Sequence, residues 1–135
     1  MATVYQDVLN VFESSFEEKV ILNDELVLQW FKMAVGEFST QIEPLYFDYD
    51  TKKFTDVDGE PIALNQTVIN ILGFTIKRYY CERQYNKIIK RSNIVTKDLT
   101  INDTSGAKTQ AKVEIEWVND KIVDYYEQLK DTAYN

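Results

Sequence analysis

The sequence contains no histidine, one cysteine, two prolines and four glycines. Without histidine, the commonest general base and the commonest transition-metal ligand are missing. A zinc site would have to rest almost wholly on carboxylates, a set that zinc rarely accepts. Cys81 has no second cysteine to pair with, so no internal disulfide forms, and a reducing, intracellular setting is expected. The first residues lack a basic run followed by an apolar one, so no secretory signal is expected. No apolar stretch approaches the ~20 residues of a membrane span, and no membrane partner is expected. Glycine-rich phosphate loops, serine elbows and cysteine–histidine spacings are also missing. The expectation is a protein that is not an enzyme, with no catalytic residues, no cofactor and no metal.

What is present suffices for a core. Across 135 residues, 44% are hydrophobic and 13% aromatic, which suits a single domain over 1–135. Val4, Val8, Val11, Phe12 and Phe16 fall at helical spacing and predict a helix over about 4–18, with Thr3 as its N-cap. Val20, Ile21 and Leu22 form a short apolar link. Asn23 or Asp24 then caps a second helix, whose apolar face is Val27, Trp30, Phe31, Ala34, Val35 and Phe38. Gln41 to Pro44 ends it, because the residue before proline leaves the helical region.

The run from Leu45 to Ile62 alternates aromatic and polar residues, with turn chemistry at Asp50–Lys53 and Asp58–Gly59. It predicts a β-hairpin or structured loop over about 45–62. Tyr46, Tyr49 and Phe54 are left to pack on something. Asp48, Asp50, Asp56 and Asp58 supply carboxylates, and Asp56-Val-Asp58-Gly59 matches part of a calcium loop. The remaining calcium ligands are absent, so an Asp-Gly turn is the reading adopted.

A long helix follows over about 65–91, capped by Asn65. Its first half, Val68, Ile69, Ile71, Leu72, Phe74 and Ile76, is apolar nearly all round and predicts contacts on two sides. Gly73 in mid-helix costs about 1 kcal/mol relative to alanine and predicts a close helix crossing. The second half is basic and tyrosine-rich: Lys77, Arg78, Tyr79, Tyr80, Arg83, Tyr85, Lys87, Lys90 and Arg91. Arg83, Lys87, Lys90 and Arg91 share one face. Arginine near Cys81 could lower its thiol pKa, but with no histidine to pair with it, a structural cysteine is the reading adopted over a nucleophile. A turn is expected at Asn102–Gly106, after a short extended piece around Leu99 and Ile101. The last element reads as a helix over about 107–130, or as a strand over 107–117 followed by a shorter helix. A short tail, 131–135, closes the chain. The fold class is therefore mostly α: a small helical bundle around one long central helix, with a hairpin.

Net charge is −7, unevenly spread. Residues 1–76 carry four positive and thirteen negative side chains, 77–112 nine and three, and 113–135 two and six. Basic residues among tyrosines can bind nucleic acid through phosphates and stacking. The acidic chain as a whole argues instead for an acidic protein partner. An acidic flank and a basic flank on one molecule suit head-to-tail self-association.

The order of these segments resembles the small helical head–tail connector proteins of tailed bacteriophages, also called adaptor or head-completion proteins. The residues that carry the resemblance are the capped helix NDELVLQWFKMAVGEF, the aromatic–acidic loop LYFDYDTKKFTDVDGEPI, the helix TVINILGFTIKRYYCERQYNKIIKR and the ending VNDKIVDYYEQLKDTAYN. The resemblance implies a structural virion protein at the head–tail junction, made in the bacterial cytoplasm. It implies a homo-oligomeric ring, commonly a dodecamer, below the portal. That ring extends the DNA channel without sequence-specific binding and docks the next neck or tail protein. Tyr46–Asp58 would then contribute to the ring or its lumen, and Asp131–Asn135 would reach toward the portal. The interface residues expected are Tyr46, Asp48, Tyr49, Phe54, Arg83, Lys87, Lys90, Arg91, Tyr134 and Asn135. The alternative is a small acidic phage or plasmid protein that binds and modulates a host protein.

Overall fold

The computed structural model describes residues 2–16, 22–95 and 102–134; within these, 91–95, 102–108 and 131–134 are described by backbone alone. The expected Val20–Ile21 link, the extended piece at Leu99 and Ile101, and Asn135 lie outside the described residues. Four helices and one two-stranded antiparallel hairpin make up the fold: α1 (Tyr5–Ser14), α2 (Asp24–Gln41), β1 (Tyr46–Asp48), β2 (Lys53–Thr55), α3 (Gln66–Val95) and α4 (Asn102–Tyr134). α3 is the central element, and α1, α2 and α4 each pack against it. Among the described residues, no helix is long and apolar enough to cross a membrane.

The starts of α2 and α3 are set locally. Asn23 caps α2 by accepting the Glu25 N–H at 2.8 Å, and Asn65 caps α3 by accepting the Thr67 N–H at 2.9 Å. α1 starts differently from the expectation. Its N-cap is Val4, whose N–H donates to Asp7 Oδ2 at 2.9 Å. Thr3 is instead buried one residue earlier, with its hydroxyl accepting the Leu64 N–H at 2.7 Å. The Thr3 N–H donates to Ile62 O and its carbonyl accepts from the Phe54 N–H, so the N-terminal segment stitches the hairpin to the entry of α3. α1 also ends at Ser14, short of the expected residue 18.

The core forms where the apolar faces of α1, α2 and the first half of α3 converge. Val8, Phe31, Phe38, Phe54, Ile71, Leu72 and Ile76 are fully buried there. At the hairpin end, Phe31 packs edge-on against Tyr5 at 4.8 Å, Phe47 at 4.8 Å and Phe54 at 5.8 Å. Such pairs add about 0.5–1.5 kcal/mol each beyond their buried area. Gly73 provides the predicted close crossing. A Cβ at that position would lie 2.5 Å from Val11 Cγ1 and 3.2 Å from the Phe12 backbone nitrogen, so α1 crosses α3 there.

α4 runs antiparallel to α3. Phe74 meets Trp117 and Tyr125, Lys77 meets Glu114, and Cys81 packs with Val118 and Ile122. The helical reading of 107–117 is correct and the strand reading is not. Three expectations change. The turn at Asn102–Gly106 is the first stretch of α4, and the helix continues through Tyr134 where a tail from 131 was expected. α3 likewise runs to Val95, four residues past the expected end at Arg91.

A candidate interaction surface at the two ends of the central helix

One face of α3 carries the site. Ile69, Leu72, Gly73, Ile76 and Tyr80 recur at three- and four-residue spacing and so line a single stripe. This stripe is covered by α1 and α2: Val11 lies over Gly73, and the Tyr80 ring meets Phe16 at 4.9 Å, Phe12 at 6.4 Å and Trp30 at 6.5 Å. Arg83, Lys87 and Lys90 continue the same spacing, and all three are exposed. The stripe therefore passes from covered and apolar to open and basic just beyond Tyr80. Arg91 lies on the same helix; its side chain is outside the described residues.

The first two cations of the basic run are not part of this surface. Lys77 is 3% exposed, its ammonium 3.4 Å from the centroid of the Phe16 ring and 3.4 Å from Glu114 Oε1. Arg78 pairs with Glu37, whose Oε2 also accepts the Tyr79 hydroxyl at 2.7 Å. Burial alone would raise the Glu37 pKa, but the hydrogen bonds from Arg78 and Tyr79 outweigh it and hold the carboxyl below its usual value. Burial, then the hydrogen bond to Glu37, pushes the Tyr79 phenol up to about 12. The ion pairs among the described residues join Lys77 to Glu114 and Arg78 to Glu37 and Glu82; none involves Arg83, Lys87 or Lys90.

The opposite end of α3 is acidic and aromatic. The β1–β2 ladder pairs Tyr46 with Thr55, Phe47 with Phe54 and Asp48 with Lys53. Asp48 is half-buried and holds the loop, its Oδ1 accepting the Asp50 N–H at 2.9 Å, while Lys52 takes a left-handed φ of 57°. Asp56 Oδ1 does the same for Asp58 and Glu60 at 2.9 Å each, around Gly59 at φ 88°, which is the predicted Asp-Gly turn. Among the described residues, no group of three or more His, Cys, Asp or Glu side chains could hold a metal ion. Asp50, Asp58 and Glu60 are left exposed, beside Tyr46 (44% exposed), Tyr49 (45%) and Val57 (73%). Phe54 is a correction. It is fully buried against Phe31 and Phe47, because strand alternation turns it inward, and it contributes to the core instead of an interface.

Cys81 is structural, as the adopted reading has it, and the lowered thiol pKa is not found. It is buried against Val118 and Ile122, and burial, then the nearby Glu114, pushes its thiol up to about 12 instead of down. Tyr134 is on the last turn of α4, and its side chain is outside the described residues. Val113 (58% exposed) and Trp117 (48%) were not among the expected interface residues. They lie off the inward stripe of Ala111, Ile115, Val118 and Ile122, and large apolar residues off a helical stripe are the signal that could have found them.

Comparison of the chain with family models, with curated proteins and with solved structures finds no match.

Proposed function

We propose that this chain is a structural protein of a tailed-phage virion, which assembles as a homo-oligomeric ring below the portal. There it extends the DNA channel and docks the neck or tail. The observation that carries this reading is the uncovered, unlike character of the two ends of α3: an open basic stripe at one and an acidic, aromatic hairpin at the other. Unlike patches on one molecule make heterologous contacts, and these close into rings when the rotation between copies permits. The segment order shared with head–tail connectors supports the same reading. The protein's role is mechanical, with DNA passing through without sequence readout.

The test is to mix the purified chain with portal rings and follow the products by light scattering and negative-stain electron microscopy. Rings of this chain stacked on the portal are the expected result. A chain that joins no ring, with or without portal, and instead captures one host protein stoichiometrically would sink the reading in favour of a small acidic modulator.

A further inference from the structure

We propose that the open basic stripe of α3 is a docking groove whose occupant is the acidic hairpin of a second copy of this chain. The proposal rests on the assembly reading only in taking a second copy as the partner. Its argument is local.

In the body of the molecule the stripe Ile69–Leu72–Gly73–Ile76–Tyr80 is a packing surface, and α1 with α2 occupies it. α1 ends at Ser14 and its last described contact on α3 is Phe16 with Lys77 and Tyr80. From Arg83 to Lys90 the same stripe runs on for about 10 Å at 1.5 Å per residue. Its charged groups are exposed and unpaired among the described residues. A packing surface that changes from apolar to cationic calls for an occupant that is anionic. The hairpin supplies one. Asp50 lies beyond one end of the short β1–β2 ladder and Asp58 and Glu60 beyond the other, so exposed carboxylates flank the hairpin at both ends.

The hairpin sits at the N-terminal end of α3, where Thr3 bonds to Phe54 and Ile62, so it cannot fold back onto the far end of its own helix. The pairing is therefore between copies. Tyr46, Tyr49 and Val57 beside the carboxylates give the contact an apolar component that charge alone lacks. Duplex DNA is the competing occupant of a basic stripe. A hairpin carrying its own exposed carboxylates, on a chain of net charge −7, disfavours it.

Two variants test the pairing: Arg83→Glu with Lys87→Glu, and Asp50→Lys with Asp58→Lys. These residues bond to nothing else through their side chains among the described residues, and circular dichroism and thermal unfolding check that each variant folds. At low salt the unmodified chain is expected to associate with rising concentration in sedimentation velocity, and added salt should reverse it. Each variant alone should be monomeric. An equimolar mixture restores the native junction and also sets the reversed stripe against a reversed hairpin, so it should associate again where neither variant does alone. The proposal is overturned if either variant associates as the unmodified chain does, or if the mixture stays monomeric. It also falls if the unmodified chain is monomeric at every concentration, or if the basic-stripe variant loses only binding to duplex DNA. A lowered unfolding midpoint in that variant would show the stripe to be covered within its own chain. Recruitment to portal by both variants would end this proposal alone; self-association without recruitment would end the connector reading alone.

Discussion

Lys77 and Lys87 lie on the same helix, ten residues apart, and meet opposite surroundings. Lys77 is sealed under Phe16 and bonded to Glu114, whereas Lys87 faces open solvent. α1 and α2 cover the stripe of α3 from Ile69 to Tyr80, and α4 packs against α3 at Phe74, Lys77 and Cys81. Among the described residues, no ion pair reaches Arg83, Lys87 or Lys90. The contrast teaches that a charge on this helix takes its role from the reach of α1, because the helix geometry is the same in both halves.

Substitutions at three places probe that contrast, and the largest effect belongs to the body. Phe31→Ala removes a fully buried ring that touches Tyr5, Phe47 and Phe54. It should cost about 3–5 kcal/mol in equilibrium urea unfolding. A change below ~1 kcal/mol would mean the body is not the cooperative core. Next comes the seam between the halves. Glu114→Gln replaces the carboxylate beside the buried Lys77 ammonium with a neutral amide and should cost about 1 kcal/mol, reduced because Glu114 itself is half-exposed. Adding Lys77→Met to Glu114→Gln should recover most of that loss, since an apolar isostere needs no partner. If it does not, Lys77 contributes more than its charge.

The pH dependence follows from the phenols. Tyr5 and Tyr79 are both pushed up to about 12, the first by burial and then by Asp24. Their folded pKa exceeds the unfolded value near 10, so the stability they contribute is complete below pH 10 and is lost as pH rises toward 12. Absorbance titration at 295 nm should show these phenols ionising only with unfolding. Glu37 works in the other direction: its lowered pKa makes its contribution complete above the usual carboxylate range and lost in acid. The smallest stability effect is expected in the open stripe, where Arg83→Glu with Lys87→Glu should leave the monomer's unfolding midpoint unchanged.

Much of the fold was legible because its signals are local. Asn23 and Asn65 cap the helices they were expected to cap, the run before Pro44 ends α2, and Gly73 marks a real crossing. The failures share a cause. Whether Phe54 or a neighbour faces the core depends on where α1 and α2 lie, and three strand residues are too few to reveal it. Asn102–Gly106 carries turn residues, yet it is helical, because pairing with α3 outweighs local propensity and the ~1 kcal/mol cost of Gly106. Within the candidate site, the exposed face of Arg83, Lys87 and Lys90 followed from spacing alone. The internal use of Lys77 and Arg78 depended on Phe16 and Glu37, residues 41 or more positions away in the case of Glu37.

The stitch at Thr3 has a kinetic consequence. Its hydroxyl meets the Leu64 N–H across 61 positions of sequence, and its backbone waits for both Phe54 and Ile62. Closing so long a loop is slow relative to pairing α3 with α4, which follow one another in the chain. The Thr3 segment is thus among the last parts of the fold to dock. Thr3→Val should speed unfolding in stopped-flow measurements while leaving the folding rate nearly untouched. A slowed folding limb would place that stitch in the nucleus instead.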